Sequence, residues 1–426
     1  MDAASDGDIS FFTVGYISLI IFLAIVIWSI RRHRDPKLRI KTDLSITELI
    51  PSLAGLTLSS AVAGNSVEIF ENGKFFDKLV ERIGAAQQTV HFETFLWKEG
   101  VLGNRIAAAL AERASAGKQV RVLLDGQGSK NIGKAAAQLM KDAGCTVVYF
   151  HAGRLRNIGV MNDRDHRKLV VIDGREAFVG GHCIVDTWLG EAQDNEHYGD
   201  LSVHLHGPII NNLQSVFSEN WAGETGELFV GDGVFPTLDK AGDVLMHAAY
   251  AKPESSAPAV KILHHTAICL ARKQIRIQNP YFIPEPEAID AFGAAVKRGV
   301  DVRVLMPSTS GSDNPMVQHS GHRNFEKLLR CGVRLFEYPH TLLHQKVMTV
   351  DGEWSAIGSS NFDDRSFETN DEITLGIVDA ATAQKFDAVF DKYMPRCTEI
   401  KLEDWHKRSL GHKLLDNICY AINEVL

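Results

Sequence analysis

Residues 165–181 read DHRKLVVIDGREAFVGG, and residues 343–360 read LHQKVMTVDGEWSAIGSS. Both stretches contain the pattern H-x-K-x4-D, followed at the same distance by a glycine turn. The matching residues are His166, Lys168 and Asp173 in the first copy and His344, Lys346 and Asp351 in the second. One such match is weak in a chain of 426 residues, but two matches with shared flanks indicate an internal duplication that carries chemistry.

The chain around the two copies repeats one order of strands and helices. In the first half the pattern predicts a strand at 89–97, a helix at 105–117 and strands at 120–126 and 146–150. In the second half it predicts a strand at 275–283, a helix at 288–299 and strands at 302–307 and 333–338. Continuous β-branched runs between alanine-rich helices indicate sheets that are covered on both faces. We therefore predict an α/β fold of two pseudo-symmetric halves, with the equivalent motifs face to face.

The composition is that of an ordinary globular protein, with 45% hydrophobic and 23% charged residues. The formal net charge of −8 argues against a nucleic-acid-binding surface, which is usually basic. The six cysteines are scattered and lack zinc-binding spacing. We expect free thiols, no metal and no other cofactor.

Residues 11–30, FFTVGYISLIIFLAIVIWSI, carry no charge. A helix of this length spans about 30 Å, the thickness of a bilayer's hydrocarbon core. A cleaved signal peptide fits poorly, because the preceding residues are acidic and no small-residue cleavage site follows. The next residues are basic: Arg31, Arg32, Arg34, Lys37, Arg39 and Lys41. By the positive-inside rule we predict a single-pass protein of the inner membrane with a cytoplasmic catalytic domain.

These observations divide the chain into six segments. Residues 1–10 are a tail, 11–30 a transmembrane helix and 31–63 a basic juxtamembrane connector. The first half covers 64–250 and the second 251–400, with the Pro/Ser/Ala stretch at 252–259 as the predicted linker. Residues 401–426 form a predicted amphipathic helix, which either docks on the domain or lies at the membrane interface.

The paired motifs have a composition that suits a phosphodiester. Strand alternation directs the histidine and the lysine of each copy to one face, so two imidazoles and two ammonium groups would converge on one cavity. The lysines would neutralise the non-bridging oxygens, while one histidine attacks phosphorus and the other protonates the departing alkoxide. Imidazole suits both tasks because its unperturbed pKa lies near about 6.5.

The paired motifs resemble the HKD signature of the phospholipase D superfamily, and longer stretches resemble its bacterial cardiolipin synthase branch. Among these stretches are ETFLWKEGVLGNRIAAALAERA (93–114), GVRLFEYPHTLLHQK (332–346) and GSSNFDDRSFETNDE (358–372). The resemblance covers residues 60 to 400. It implies two phospholipase D-type α/β/α halves, preceded here by one transmembrane helix.

The resemblance also implies a metal-independent, two-step reaction through a phosphohistidine. It makes His166 the nucleophile and His344 the acid and then the base. The phosphate-binding residues that it implies are Lys168, Lys346, Asn361, Ser359 and Gly181. Asp173 and Asp351 complete the catalytic signature, although their position five residues beyond the lysines favours a role in fixing the local turn.

A catalytic imidazole needs a partner that sets its tautomer. The expected partners are Asp200, in EHYGD, and Glu372, in NDE. The first copy departs from the family pattern twice: Cys183 stands where the second copy has Asn361, and HYGD replaces a frequent tryptophan–arginine pair. The first departure removes one phosphate ligand or replaces it with a weak S–H donor.

The leading hypothesis is a membrane-anchored phosphatidyltransferase that makes cardiolipin, with phosphatidylglycerol as acceptor and phosphatidylglycerol or another phospholipid as donor. The alternatives are a hydrolytic phospholipase D, a phosphodiesterase or nuclease on the same fold, and a non-catalytic membrane scaffold. Intact motifs disfavour the scaffold, and the acidic balance with an apolar anchor disfavours the nuclease. The expected partners are phospholipids and a membrane, and no nucleic acid.

Overall fold

The computed structural model describes residues 11–30, 40, 44–57, 59–151, 163–252 and 258–421, with side chains of the first segment described from 13 to 22. The chain divides into two compact units, Met1–Arg39 and Ile40–Leu426. The predicted tail (1–10), the basic cluster at 31–41 except for residue 40, and residues 253–257 of the predicted linker lie outside the described residues.

The first unit contains helix α1, Phe11–Ile30. Across the residues that the structure describes, no helix has both the length and the apolar character that crossing a bilayer requires. The predicted transmembrane helix therefore stays a prediction.

The second unit contains fifteen strands and eleven further helices among its described residues. The strands are β1 Val62–Glu71, β2 Thr89–Thr94, β3 Gln119–Asp125, β4 Thr146–Phe150, β5 Lys168–Ile172, β6 Glu176–Gly180, β7 Leu201–His206, β8 Val244–Ala251, β9 Gln274–Gln278, β10 Asp301–Pro307, β11 Arg334–Tyr338, β12 Val347–Val350, β13 Trp354–Gly358, β14 Glu372–Val378 and β15 Thr398–Ile400. The helices are α2 Ile46–Leu56, α3 Lys74–Ala85, α4 Val101–Ser115, α5 Lys134–Asp142, α6 Ile209–Thr225, α7 Ala259–Leu270, α8 Pro286–Lys297, α9 Pro315–Arg330, α10 Ala380–Tyr393, α11 Leu402–His406 and α12 Leu410–Ala421.

One continuous sheet holds all fifteen strands, and its order repeats. From the centre outward the first half runs β1-β7-β6-β5-β2-β3-β4, and the second runs β8-β14-β13-β12-β9-β10-β11 with β15 at the edge. The two runs place equivalent strands in equivalent positions, and the halves join where β1 and β8 pair antiparallel. The predicted α/β class and the two-copy organisation are confirmed, and the halves share a single sheet.

The strands of the paired motifs are buried on both faces. In β5, Val170 and Ile172 pack in one core cluster, whereas Leu169 and Val171 pack in another on the opposite face. This alternation follows from the two-residue repeat of a strand. It gives Lys168, at the start of β5, the same parity as Val170 and directs its side chain to a defined face.

Two strands end earlier than the sequence pattern predicts. The strand predicted at 89–97 ends at Thr94, and the one predicted at 275–283 ends at Gln278. After Gln278 the chain contains Pro280, which has no N–H to donate to a ladder. After Thr94, the carbonyl of Phe95 accepts from the Ser129 hydroxyl instead of a strand. Both segments leave the sheet and form walls of the site.

The aspartates of both motifs fix turns. Asp173 has a φ of 54° and Asp351 a φ of 57°, a left-handed conformation that Asp tolerates better than most residues. The Asp173 carboxylate accepts the backbone N–H groups of residues 87, 88 and 89, which enter β2. The Asp351 carboxylate accepts those of residues 272, 273 and 274, which enter β9. Each aspartate thereby ties its hairpin turn to the start of the neighbouring strand.

We expect Asp351→Ala to lower the free energy of unfolding by about 1–3 kcal/mol, because three backbone donors lose a charged acceptor and alanine disfavours positive φ. Asp351→Asn, which keeps an acceptor and tolerates this φ, is the matched control and should cost less. Urea denaturation of the two variants measures the difference. An unchanged unfolding midpoint for Asp351→Ala would contradict the structural role.

Candidate active site

Two histidines meet the carboxylates of opposite halves. His166, from the first motif, places Nδ1 2.8 Å from Oε1 of Glu372, which begins β14 in the second half. His344, from the second motif, places Nδ1 2.7 Å from Oδ2 of Asp200, which precedes β7 in the first half. All four side chains are buried. Each half therefore supplies the carboxylate that orients the other half's imidazole.

Backbone pairing brings these partners together. The N–H of His166 donates to the carbonyl of Asp371 at 2.9 Å, and the N–H of His344 donates to the carbonyl of Gly199 at 2.6 Å. Isolated parallel bridges join Asp165 to Asp371 and Gly199 to Leu343. Asp371, which precedes Glu372, thus pairs with residues 165 and 166. Gly199, which precedes Asp200, pairs with residues 343 and 344. This register aims both carboxylates at Nδ1.

A buried guanidinium supports the His166 side of this junction. Arg167 is fully buried, donates to the carbonyl of Val216 at 3.0 Å and lies 3.9 Å from Asp371. It also reaches Glu219 at 3.4 Å. A buried charge persists only where it is paired and hydrogen-bonded. Arg167 therefore holds Asp371, the residue whose carbonyl receives the His166 N–H.

The two lysines contact the histidines differently. Lys168 donates to the backbone carbonyl of His166 at 2.6 Å and lies 5.4 Å from the ring centre of Phe95. Lys346 donates to the carbonyl of His344 at 2.8 Å and also lies 2.9 Å from its Nε2. Among the described residues none hydrogen-bonds to Nε2 of His166. The second ring nitrogen is thus free on His166 and occupied on His344.

Burial controls the protonation of these groups. It lowers the pKa of His166 to about 4, against the opposing charge of Glu372. Burial and the charge of Lys346 lower the pKa of His344, and burial lowers the pKa of Lys346 to about 8. The imidazoles are therefore neutral near pH 7, and each donates its Nδ1–H to a carboxylate.

The carboxylates stay ionised although they are buried. Burial would raise the pKa of Glu372, but His166 and Lys168 bring it to about 2. Burial would likewise raise the pKa of Asp200, but His344 and Lys346 bring it to about 2. An ionised partner leaves Nε2 of His166 unprotonated, which is the form that attacks an electrophile.

A cavity of about 220 Å³ opens onto His166. Its walls combine aromatic, aliphatic, amide and charged side chains: Phe95, Arg164, Tyr281, Ile283, Asn314, Val317, Ser320, Asn361, Asp363, Asp364, Arg365, Ser366 and Asn370. The side-chain oxygen of Asn361 is buried without a hydrogen-bond partner, and its amide lines the cavity. Asn361 thus lines the same cavity as His166, and its predicted role as a phosphate ligand stays a prediction.

Two residues predicted to bind phosphate lie instead against the carboxylates. The Ser359 hydroxyl donates to Oε2 of Glu372. Gly181, at the equivalent position, lies so close to the Asp200 carboxylate that a Cβ atom would overlap Oδ1. Serine supplies a hydrogen bond to one carboxylate, and glycine supplies space for the other. These contacts give both residues a place beside the carboxylates, and their predicted role in binding phosphate stays a prediction.

Cys183 breaks the symmetry of the site. Its thiol is 2% exposed and lies 3.8 Å from the carbonyl of Gly181. Burial raises its pKa to about 11, against the charges of the two lysines, so the thiol is protonated. The His166 side of the site thus has an amide side chain, Asn361, and the other side has a neutral thiol.

Two aromatic residues that the motifs do not predict contact the histidines. The Trp188 ring meets His344 edge to face at 5.2 Å, and its Nε1 donates to Oδ2 of Asp200 at 2.8 Å. The Phe95 ring meets His166 edge to face at 4.9 Å. Neither belongs to a motif, but each lies just beyond a buried segment of the first half. The sequence feature that could have identified Trp188 and Phe95 is an aromatic residue at the end of an apolar run.

Comparisons with known proteins match both halves of the chain that carry a motif. A family model described as "Cardiolipin synthase, PLD-like domain" matches residues 79–221 and 265–394, and each segment contains one motif. A cardiolipin synthase of Staphylococcus aureus is 30% identical over 383 residues, which are 89% of this chain and 77% of that protein. Cardiolipin synthase A of Pseudomonas putida is 36% identical over 370 residues, or 86% of this chain and 76% of that protein.

A solved structure extends the similarity to the fold. The crystal structure of phosphatidylserine synthase from Haemophilus influenzae matches with a TM-score of 0.63 and covers 87% of this chain and 96% of that chain. The two sequences are only 13% identical, so this match concerns the fold alone.

The crossed pairs predict different effects for the two carboxylates. Glu372→Gln should lower kcat roughly 10²–10⁴-fold on any phosphodiester, because His166, the predicted nucleophile, loses the partner that sets its tautomer. Asp200→Asn should cause a similar loss in the first step with an alkyl leaving group but less than about tenfold with p-nitrophenol, which departs without a proton. The rate of alcohol release in a single turnover of phosphatidyl esters of the two alcohols measures this, because later turnovers also need His344 as a base. Equal losses for Asp200→Asn on both substrates would contradict His344 as the acid.

Proposed function

The chain belongs to the family of cardiolipin synthases with phospholipase D-like domains, which are phosphatidyltransferases, and from this we propose that it makes cardiolipin from phosphatidylglycerol through a phosphohistidine. The observation that carries the proposal is the pair of crossed histidine–carboxylate contacts, His166 with Glu372 and His344 with Asp200. Only one of the two imidazoles keeps a free Nε2, and that nitrogen belongs to the cavity-lining His166.

In the first step, Nε2 of His166 attacks the phosphorus of a phosphatidylglycerol. The N–P bond forms as the bond from phosphorus to the glycerol headgroup oxygen breaks. His344, which is neutral in the empty site, takes up a solvent proton at Nε2 when the anionic phosphodiester binds, and the ionised Asp200 stabilises this imidazolium. His344 then gives the Nε2 proton to the headgroup oxygen, so glycerol leaves neutral. Lys168, Lys346 and Asn361 are the proposed ligands of the phosphoryl oxygens.

In the second step, a headgroup hydroxyl of another phosphatidylglycerol attacks the phosphohistidine. His344, now neutral, takes the hydroxyl proton as the new P–O bond forms and the N–P bond breaks. Cardiolipin leaves, His166 returns to its free state and His344 is protonated again. Two phosphatidylglycerols thus give one cardiolipin and one glycerol, and the residues end as they began.

Transfer competes with hydrolysis, because water attacks the same intermediate and yields phosphatidic acid. The cavity beside His166 has apolar walls from Phe95, Ile283 and Val317. Such walls support transfer, since they limit the water that reaches the phosphohistidine. Hydrolytic phospholipase D activity is the outcome that would replace the proposed one.

The proposal includes a membrane anchor at residues 11–30, with the catalytic unit in the cytoplasm. It rests on the twenty uncharged residues and on the basic cluster that follows them. A reporter enzyme fused after Leu426 should be active only if it works in the cytoplasm. Activity of a reporter that requires the periplasm would reverse the orientation and leave the chemistry unaffected.

We expect the purified protein in mixed micelles of phosphatidylglycerol to form cardiolipin and glycerol faster than phosphatidic acid. Mass spectrometry of the extracted lipids measures all three products. His166→Ala and His344→Ala should each lower the rate at least roughly 10³-fold, because each step needs both imidazoles. Phosphatidic acid as the main product at saturating lipid would replace the transferase with a hydrolase.

A further inference from the structure

Helix α12 turns its apolar face to solvent. Leu410 is 83% exposed, Leu414 62%, Leu415 41% and Ile418 52%. Residues 410, 414 and 418 follow the four-residue repeat that forms one stripe along a helix. A helix that packs on a protein core buries such a stripe, whereas α12 exposes it.

The inner face of α12 is polar and fixes the helix in this rotation. Asp416 is 2% exposed and accepts from Nδ1 of His319 at 2.8 Å and from Arg408 at 2.7 Å. Burial would raise the pKa of Asp416, but the neighbouring His322, His319 and Arg408 bring it to about 2. Cys419, one turn further, is also fully buried. If α12 rotated to bury its leucines, Asp416 would lose these partners, and an unpaired charge is costly in a protein interior. The contacts therefore hold the apolar face of α12 towards solvent.

Helix α9 connects this exposed stripe to the catalytic cavity. On one side α9 packs against α12, through the His319 contact to Asp416. On its other side Val317 and Ser320 line the cavity that opens onto His166. The apolar stripe is therefore one helix away from the cavity wall.

We propose that α12 is a lipid-docking helix, which inserts its apolar stripe among the acyl chains of a bilayer and holds the catalytic cavity at the membrane surface. Lys407 and Lys413 lie in the same segment; Lys407 is exposed and paired with the exposed Asp404, and Lys413 donates to the carbonyl of His406. Exposed pairs of this kind are weak, so these ammonium groups can exchange their partners for anionic phosphates at headgroup level. The choice of a lipid partner rests on the proposed function. The exposure of the stripe is an observation that does not depend on that function.

A second copy of this chain is the competing occupant of the stripe. A stable dimer buries about 800 Å² on each partner. Four aliphatic side chains on one three-turn helix fall short of that area, whereas an interfacial helix needs only a stripe of this size. The area therefore favours a lipid surface.

The direct test is photolabelling of the full chain in vesicles of phosphatidylglycerol and phosphatidylethanolamine that contain a diazirine phospholipid. Peptide mapping should find label at residues 410–418. The loop with Leu228 and Val230, which are 80% and 83% exposed, is the internal control and should stay unlabelled. Absence of label from 410–418, or cross-links there between two protein copies instead of lipid, would overturn the proposal.

A matched pair of variants tests the consequence for turnover. Leu414→Ser with Ile418→Ser should lower turnover of vesicle phospholipid roughly tenfold or more, because the stripe loses its affinity for acyl chains. Turnover of a dispersed short-chain phospholipid should stay within about twofold, as expected for surface substitutions. Leu228→Ser with Val230→Ser removes equally exposed apolar groups and should change neither rate.

The outcomes separate this proposal from the proposed function. Equal losses on vesicle and dispersed lipid in the α12 variant would assign the leucines to stability and overturn lipid docking. Label at 410–418 in a wild-type protein that turns over neither lipid would uphold docking and refute the phosphatidyltransferase reaction.

Discussion

The exchange of carboxylates between the halves is the contact on which the site depends. Two lysines, Lys168 and Lys346, and two carboxylates, Asp200 and Glu372, lie buried around the two imidazoles. Isolating any one of these charges from water would cost several kcal/mol. Together they balance, because two ammonium groups face two carboxylates and each carboxylate also accepts a histidine N–H. The balance exists only while the two halves stay in register.

The shared sheet maintains that register. β1 and β8 pair at the centre, so the equivalent strands extend outward from one junction in a fixed order. The bridges at Asp165–Asp371 and Gly199–Leu343 then place each histidine beside the opposite carboxylate. A shift of one residue would turn each of these side chains to the other face of its strand. Extensive backbone pairing thus supports a site that rests on two short hydrogen bonds.

Symmetry in the backbone coexists with asymmetry in the chemistry. Of two equivalent positions, one holds Asn361, which lines the cavity, and the other holds the buried thiol of Cys183. A second equivalent pair, Ser359 and Gly181, lies beside the carboxylates. Lys346 occupies Nε2 of His344, whereas Nε2 of the cavity-lining His166 has no hydrogen-bond partner among the described residues. A two-step transfer needs one nucleophile and one proton carrier, so identical halves would offer no advantage. The observed differences assign distinct environments to the two histidines.

Much of this protein follows from the sequence by itself. Strand periodicity and the doubled motif predict the α/β class and the two-copy organisation, because these properties are encoded by residues close together in the chain. The identity of Asp200 and Glu372 as histidine partners also follows, since a buried imidazole needs a nearby carboxylate. Only the tertiary structure shows that the pairs cross, because His166 and Glu372 are 206 residues apart and His344 and Asp200 are 144 apart. Only the tertiary structure shows that the Ser359 hydroxyl donates to Glu372. For α12 the sequence predicts an apolar face, and only the tertiary structure shows that this face is turned to solvent. Local periodicity determines which side chains share a face, whereas the partner that the face meets depends on packing between distant segments.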